Sequence, residues 1–247
     1  MELQNKVALI TGGTHGIGAE TALRLAQQGV KICLAARHVE MTTIRQELDA
    51  IDADYHMIQA DLSTEQECVK VVLETVDFFG SLDIIIHAAG AAAPGGLLSG
   101  AHLVWSDAFD LHLHAIFHLC RTAVPFMQKS DEGAIILLGS AAGLRGVKNA
   151  LAYAVVKGAV PQFTRALAFE LSDWNIRVNC ISPGIIRTRF QDYLSAEQVK
   201  NNLENRIPLR REGTSRDVAE AIEMLVKNEF ITGENIVIDG GMSMRIV

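Results

Sequence analysis

The sequence predicts an α/β protein: a doubly wound, seven-stranded parallel sheet with helices on both faces. Three observations predict it. Short apolar, β-rich runs alternate with longer helical patterns along the chain. Several of the short runs are continuously apolar, as strands covered on both faces are. No linker, repeat or low-complexity stretch divides the 247 residues, so 1–247 reads as a single domain.

The first run, KVALIT (6–11), is followed by the turn TGGTHGIG and a helix pattern over 16–28. KICLAA (31–36) precedes a helix over 40–51, and DYHMIQA (54–60) one over 63–79. LDIIIHA (82–88) leads into a long helix over 102–128, and GAIILLG (133–139) into another over 150–171. IRVNCIS (176–182), a helix over 215–227 and NIVID (235–239) complete the alternation. The stretch 187–213 interrupts it, and a long insertion of this kind reads as a substrate-binding lid.

Composition narrows the function classes. Apolar residues make up 49% and charged residues 21%, enough for a large core and against disorder. A net charge of −7 with no long Lys/Arg run argues against a nucleic-acid surface. Cys33, Cys68, Cys120 and Cys180 form no C-x-x-C pair, so neither a metal site nor a disulfide framework is expected. Scattered cysteines in apolar segments fit a reducing compartment. The first residues lack the pattern of a signal peptide, and the apolar run from Ile84 is broken by His87, Gly90, Pro94 and Gly95. No membrane span is expected, and the chain reads as cytoplasmic.

TGGTHGIG lies between a strand and a helix, the context a dinucleotide-binding turn requires. Gly12 permits a tight turn, Gly16 a close approach to a pyrophosphate, and Gly18 close packing of helix on sheet. The N–H groups at the helix start then face the phosphates. At the end of the second strand stands Ala36, where an acid would bind a ribose 2′-hydroxyl, followed by Arg37. Arg37 suits a 2′-phosphate, which favours NADP(H) with NAD(H) possible; a solvated surface arginine is the alternative. Asp61 reads either as a partner for the adenine amino group or as an N-terminal cap for the helix starting near Ser63.

YAVVK sets Tyr153 and Lys157 one helical turn apart on the same face. A neighbouring ammonium stabilises the phenolate, so Tyr153 can exchange a proton with a carbonyl or an alcohol. Ser140 ends the run AIILLGS, at the strand edge where open parallel sheets bind ligands, and can hydrogen-bond the reacting oxygen. A turn serine that satisfies local backbone is its plainer reading.

Taken together, TGGTHGIG, HAAG after the fourth strand, the Ser140–Tyr153–Lys157 set, NCISPGIIRT (179–188) and ITGENIVIDGG (231–241) resemble the short-chain dehydrogenase/reductase family over nearly the whole chain. The resemblance implies a Rossmann-like domain and a reaction between a nicotinamide cofactor and a small carbonyl or secondary-alcohol substrate. It implies Tyr153 as acid/base, Lys157 as its activator and a holder of the nicotinamide ribose, and Ser140 as the group orienting substrate. Pro183, Gly184, Ile186 and Thr188 would flank the nicotinamide. Thr14, His15, Ile17, Leu62, Ala88, Ala89 and Gly90 join the residues expected on the cofactor. A homotetramer, or a homodimer, is expected to bury the two long helices.

Two positions depart from the family pattern. His87 stands where its N-A-A-G turn has asparagine, and His112 where an asparagine helps a proton relay. A histidine can take part in a relay, which keeps His112 among the catalytic candidates; packing substitution is the alternative for both. A nucleotide-binding scaffold or regulatory protein with weakened catalysis is the competing function. Arg145, Lys148, Arg187 and Arg189 suit an anionic substrate, unless they are surface charges or meet the cofactor phosphates.

Overall fold

Each apolar run becomes a strand: β1 (Val7–Thr11), β2 (Lys31–Ala36), β3 (Tyr55–Gln59), β4 (Ile84–His87), β5 (Gly133–Leu138), β6 (Ile176–Pro183) and β7 (Asn235–Ile238). All pair in parallel in the order β3-β2-β1-β4-β5-β6-β7. The computed structural model describes residues 1–40, 42–191 and 194–244. Met41 in the expected helix 40–51, residues 192–193 in the expected lid and residues 245–247 lie outside the described residues.

The helices are α1 (Gly16–Ala26), α2 (Thr43–Ala50), α3 (Glu65–Phe79), α4 (His102–Phe109), α5 (Ala115–Met127), α6 (Leu151–Glu170), α7 (Ala196–Asn201) and α8 (Ser215–Lys227). They cover the sheet in two layers, which explains the unbroken apolar runs. Ile10, Leu34, Ile86 and Ile136 pack on one side with Leu25 of α1, Leu48 of α2 and Ile222 of α8. Their chain neighbours Leu9, Cys33, Ile85 and Ile135 pack on the other with Val72 of α3, Leu119 of α5 and Val160 of α6. With a two-residue side-chain period, both sets are removed from water, each large side chain contributing about 1.5–3 kcal/mol. All four cysteines are buried and free within these layers.

Several boundaries differ from expectation. The helix expected over 40–51 forms over Thr43–Ala50, with extended Thr42 at its N-cap, and the helix expected over 16–28 ends at Ala26. The helix expected from 63 begins at Glu65, because Thr64 caps it by accepting from the Glu67 N–H at 3.3 Å. The helix expected over 102–128 is divided by a π turn, Asp110–His114, between α4 and α5. The described residues of the stretch 187–213 hold more regular structure than its pattern suggested. They form a 3-10 turn (Arg189–Gln191), α7 and a second π turn (Asn202–Arg206).

Among the described residues no helix is long and apolar enough to cross a membrane, and no group of three His, Cys, Asp or Glu is placed to hold a metal.

Candidate active site

The strand order reverses between β1 and β4, so the chain departs to opposite sides from their carboxyl ends and leaves a crevice there. A cleft of about 880 Å³ fills it. Every residue named above as a catalytic or cofactor candidate lines this cleft.

At one end lies the glycine turn. Gly12 and Gly16 have φ of +64° and +58°, a region that disfavours side chains. A Cβ on Gly12 would stand 2.7 Å from the Ala89 nitrogen, so the turn lies directly against the chain leaving β4. His15 precedes α1 in extended conformation without capping it through its side chain, and the first turn carries no acid. Among the described residues no side chain caps the first N–H groups of α1, and the helix dipole favours an anion beside them.

Ala36 ends β2, and the exposed Arg37 and His38 border the cleft beyond it. Asp61 also lines the cleft, but the cap reading is corrected. Its carboxylate accepts from the Ser63 N–H at 3.1 Å in a local turn, and Thr64 caps α3 instead.

Tyr153 and Lys157 project from the first turns of α6. Lys157 is buried at 5% exposure, and its Nζ donates to the Leu138 carbonyl at 2.7 Å. The same Nζ lies 5.9 Å from the centroid of the Tyr153 ring. Burial brings the lysine down to about 8, slightly offset by Cys180. Ser140 follows β5, and its Oγ accepts from the Ala142 N–H at 3.1 Å while lining the cleft. Its turn role and a role toward a ligand are compatible, because a hydroxyl keeps its own proton to donate. A Cβ on Gly143 would fall 2.5 Å from the Lys157 carbonyl carbon, so the Ser140 turn packs onto the backbone of α6.

The two unusual histidines separate. His87 is not on the cleft; it sits across from Thr11 in the β1–β4 register, with Nδ1 2.9 Å from the Thr11 hydroxyl. Packing inside the sheet accounts for it. His112 lines the cleft from the π turn, 2% exposed. Its Nε2 is 2.9 Å from the Ala91 carbonyl, and among the described residues its buried Nδ1 has no partner. A π turn commonly marks a functional position.

The four cations noted in the sequence also separate. Arg187 pairs with Glu212 at 2.6 Å, and neither it nor Lys148 lines the cleft. Arg145 borders it while donating to the Ser243 carbonyl at 3.1 Å. Arg189 borders it and donates to His15 at 2.8 Å.

Sequence reasoning missed several lining residues: Leu111, Phe190, Asn202, Arg206 and Met242. Phe190 approaches Tyr153, with ring centroids 6.1 Å apart. Asn202 and Arg206 come from the second π turn and bond each other at 2.8 Å. A signal for this segment was available. Ser195 and Gln198 form the capping box of α7, and S-x-x-Q can be read in sequence.

Residues 12–243 match the family model described as enoyl-(acyl carrier protein) reductase. The chain is 33% identical over 243 residues to the 3-oxoacyl-(acyl-carrier-protein) reductase of Staphylococcus aureus, covering 97% of this chain and 98% of that one. It is 32% identical to the Chlamydia muridarum protein of the same name, covering 98% of each. The structure of L-sorbose reductase from Gluconobacter frateurii, complexed with NADPH and L-sorbose, superposes with a TM-score of 0.92 at 27% identity over the whole of both chains. An actinorhodin polyketide ketoreductase with NADPH superposes with a TM-score of 0.90 at 27% identity, over 98% of each.

Proposed function

Because the chain belongs to the short-chain dehydrogenase/reductase family of oxidoreductases, we propose that it is an NADP(H)-preferring enzyme that interconverts a carbonyl compound and a secondary alcohol, with Tyr153 as acid/base. The observation that carries this reading is the buried ammonium of Lys157, 5.9 Å from the Tyr153 ring, in the same cleft as Ser140 and the uncapped glycine turn.

The residues fit a dinucleotide. The start of α1, with Gly12, Thr14, His15, Gly16, Ile17 and Gly18, would hold the diphosphate. Arg37 would pair with a 2′-phosphate, and the absence of an acid at Ala36 removes the group that would repel it; NAD(H) remains possible. Asp61 and Leu62 would border the adenine, and Ala88, Ala89 and Gly90 the adjoining ribose. Pro183, Gly184, Ile186 and Thr188 would flank the nicotinamide. Bound there, the nicotinamide supplies or accepts the hydride exchanged with the carbonyl carbon.

The chain's own residues handle the proton. In reduction the Tyr153 hydroxyl donates to the carbonyl oxygen, while Ser140 hydrogen-bonds that oxygen and fixes its position. In oxidation the phenolate removes the alcohol proton. The Lys157 cation lowers the cost of the phenolate, and its bond to Leu138 holds it in place. His112 stands on the same wall, its Nδ1 buried and without a partner among the described residues. The segment 187–213 would act as the lid, with Phe190 covering the phenol side.

The reading extends to a single-domain chain, a cytoplasmic setting and a homotetramer or homodimer. The association is supported by apolar side chains left exposed on the two long helical stretches, Leu103 at 71%, Phe117 at 47% and Phe169 at 86%. The test of the activity is NADPH consumption, followed by nicotinamide absorbance, over ketoses, simple ketones and 3-oxoacyl thioesters. Turnover of at least one carbonyl class supports the reading. Tight NADPH binding without turnover of any favours the scaffold alternative.

A further inference from the structure

The glycine turn receives a cation from far along the chain. Arg189 donates from Nη1 to His15 Nε2 at 2.8 Å, across 174 positions of sequence. A guanidinium only donates, so His15 Nε2 accepts and its proton sits on Nδ1, which donates to the Thr14 hydroxyl at 3.0 Å. The ring is neutral; burial, then Arg189, then His38 hold it below its ordinary value. A neutral ring positions the guanidinium but leaves its charge uncancelled. Elsewhere in the segment, Arg187 has Glu212 and Arg211 has Asp217. Among the described residues no carboxylate pairs with Arg189. The guanidinium thus stands in the cleft beside the N–H groups of α1, which no side chain caps.

We infer that Arg189 is a ligand for a phosphate of the dinucleotide, supplied by the lid segment, and that the bound dinucleotide ties this segment to the glycine turn. The inference rests on the dinucleotide reading proposed above. The chemistry is a charge-assisted bond from a guanidinium to a phosphate oxygen. The diphosphate and the 2′-phosphate both offer it. The opposite role for the same contact is a latch that a phosphate must break, and the two roles differ in sign. A ligand lost weakens binding, whereas a latch lost tightens it.

Equilibrium binding of NADPH and of NADH, read by nicotinamide fluorescence, decides between them for the unaltered chain, Arg189→Ala and Arg189→Lys. Arg189→Ala is expected to weaken binding roughly tenfold to a hundredfold, and Arg189→Lys to recover part of the loss by keeping the charge. Loss for both dinucleotides supports the inference and assigns the diphosphate. Loss for NADPH alone supports it and assigns the 2′-phosphate. Unchanged or tighter binding by Arg189→Ala, with thermal unfolding unaltered, overturns it. If the unaltered chain binds neither dinucleotide, the dinucleotide reading itself falls and this inference with it.

Discussion

The imidazole of His112 meets the phenol ring of Tyr153 edge to face, with centroids 5.6 Å apart. Its Nε2 lies 2.9 Å from the Ala91 carbonyl and 3.4 Å from the Ala91 nitrogen. The shorter contact makes Nε2 the protonated nitrogen and leaves Nδ1 a buried lone pair. Under the proposed reading this lone pair, beside the phenol ring, belongs to the proton path, and its loss would loosen that path. His112→Ala is expected to lower kcat roughly tenfold with little change in NADPH affinity. His112→Asn, which keeps an acceptor, should retain most of the rate. Steady-state kinetics alongside direct binding checks both, and an equal loss in the two variants would contradict a role for the lone pair.

Acid should unfold this chain through its two buried histidines. Burial first, then the Lys157 ammonium, brings both His87 and His112 from 6.5 to about 3. Between those values the unfolded chain binds protons that the folded one does not. The stability they contribute is fully present above pH 6.5 and is lost as pH falls toward 3, by up to about 1.4 kcal/mol per pH unit for each histidine. Urea midpoints measured near neutrality and about two pH units lower should therefore separate widely. His87→Asn should narrow the gap, because an asparagine does not titrate.

Cofactor choice should follow Arg37. Arg37→Ala is expected to weaken NADPH binding roughly tenfold to a hundredfold and to leave NADH unchanged. Fluorescence titration with both dinucleotides checks it. Equal loss for the two would move Arg37 away from the 2′-phosphate.

Lys157 should set the alkaline limit of activity. Its ammonium is held at about 8 by burial, so the rate it supports falls as pH rises through that value. Lys157→Met should lose most of the rate together with this pH dependence. A pH–kcat profile of both proteins provides the measurement.

The sheet was legible because seven strands buried on both faces leave unbroken apolar runs, and those runs sit within one or two residues of where the chain forms them. The glycine turn and Tyr153–Lys157 were legible because their geometry is local: one turn of backbone and one turn of helix. What crosses the fold was not. Nothing in sequence tells that Arg189 reaches His15, that Arg187 is taken by Glu212, or that His87 turns to Thr11 while His112 turns to the cleft. These are settled by strand register and by π turns, whose extra residue has no signature in a 3.6-residue pattern. The Asn202–Arg206 wall was missed because the S-x-x-Q capping box marks the start of α7 but not the π turn that follows it.

The phenol of Tyr153 as the proton-exchanging group is tested most directly by Tyr153→Phe, assayed for NADPH binding and for turnover of the best carbonyl substrate in the same preparation. The account predicts binding within about twofold of the unaltered chain and a rate lower by roughly 10²-fold or more. A Tyr153→Phe protein that binds NADPH normally and turns over at an undiminished rate would contradict it.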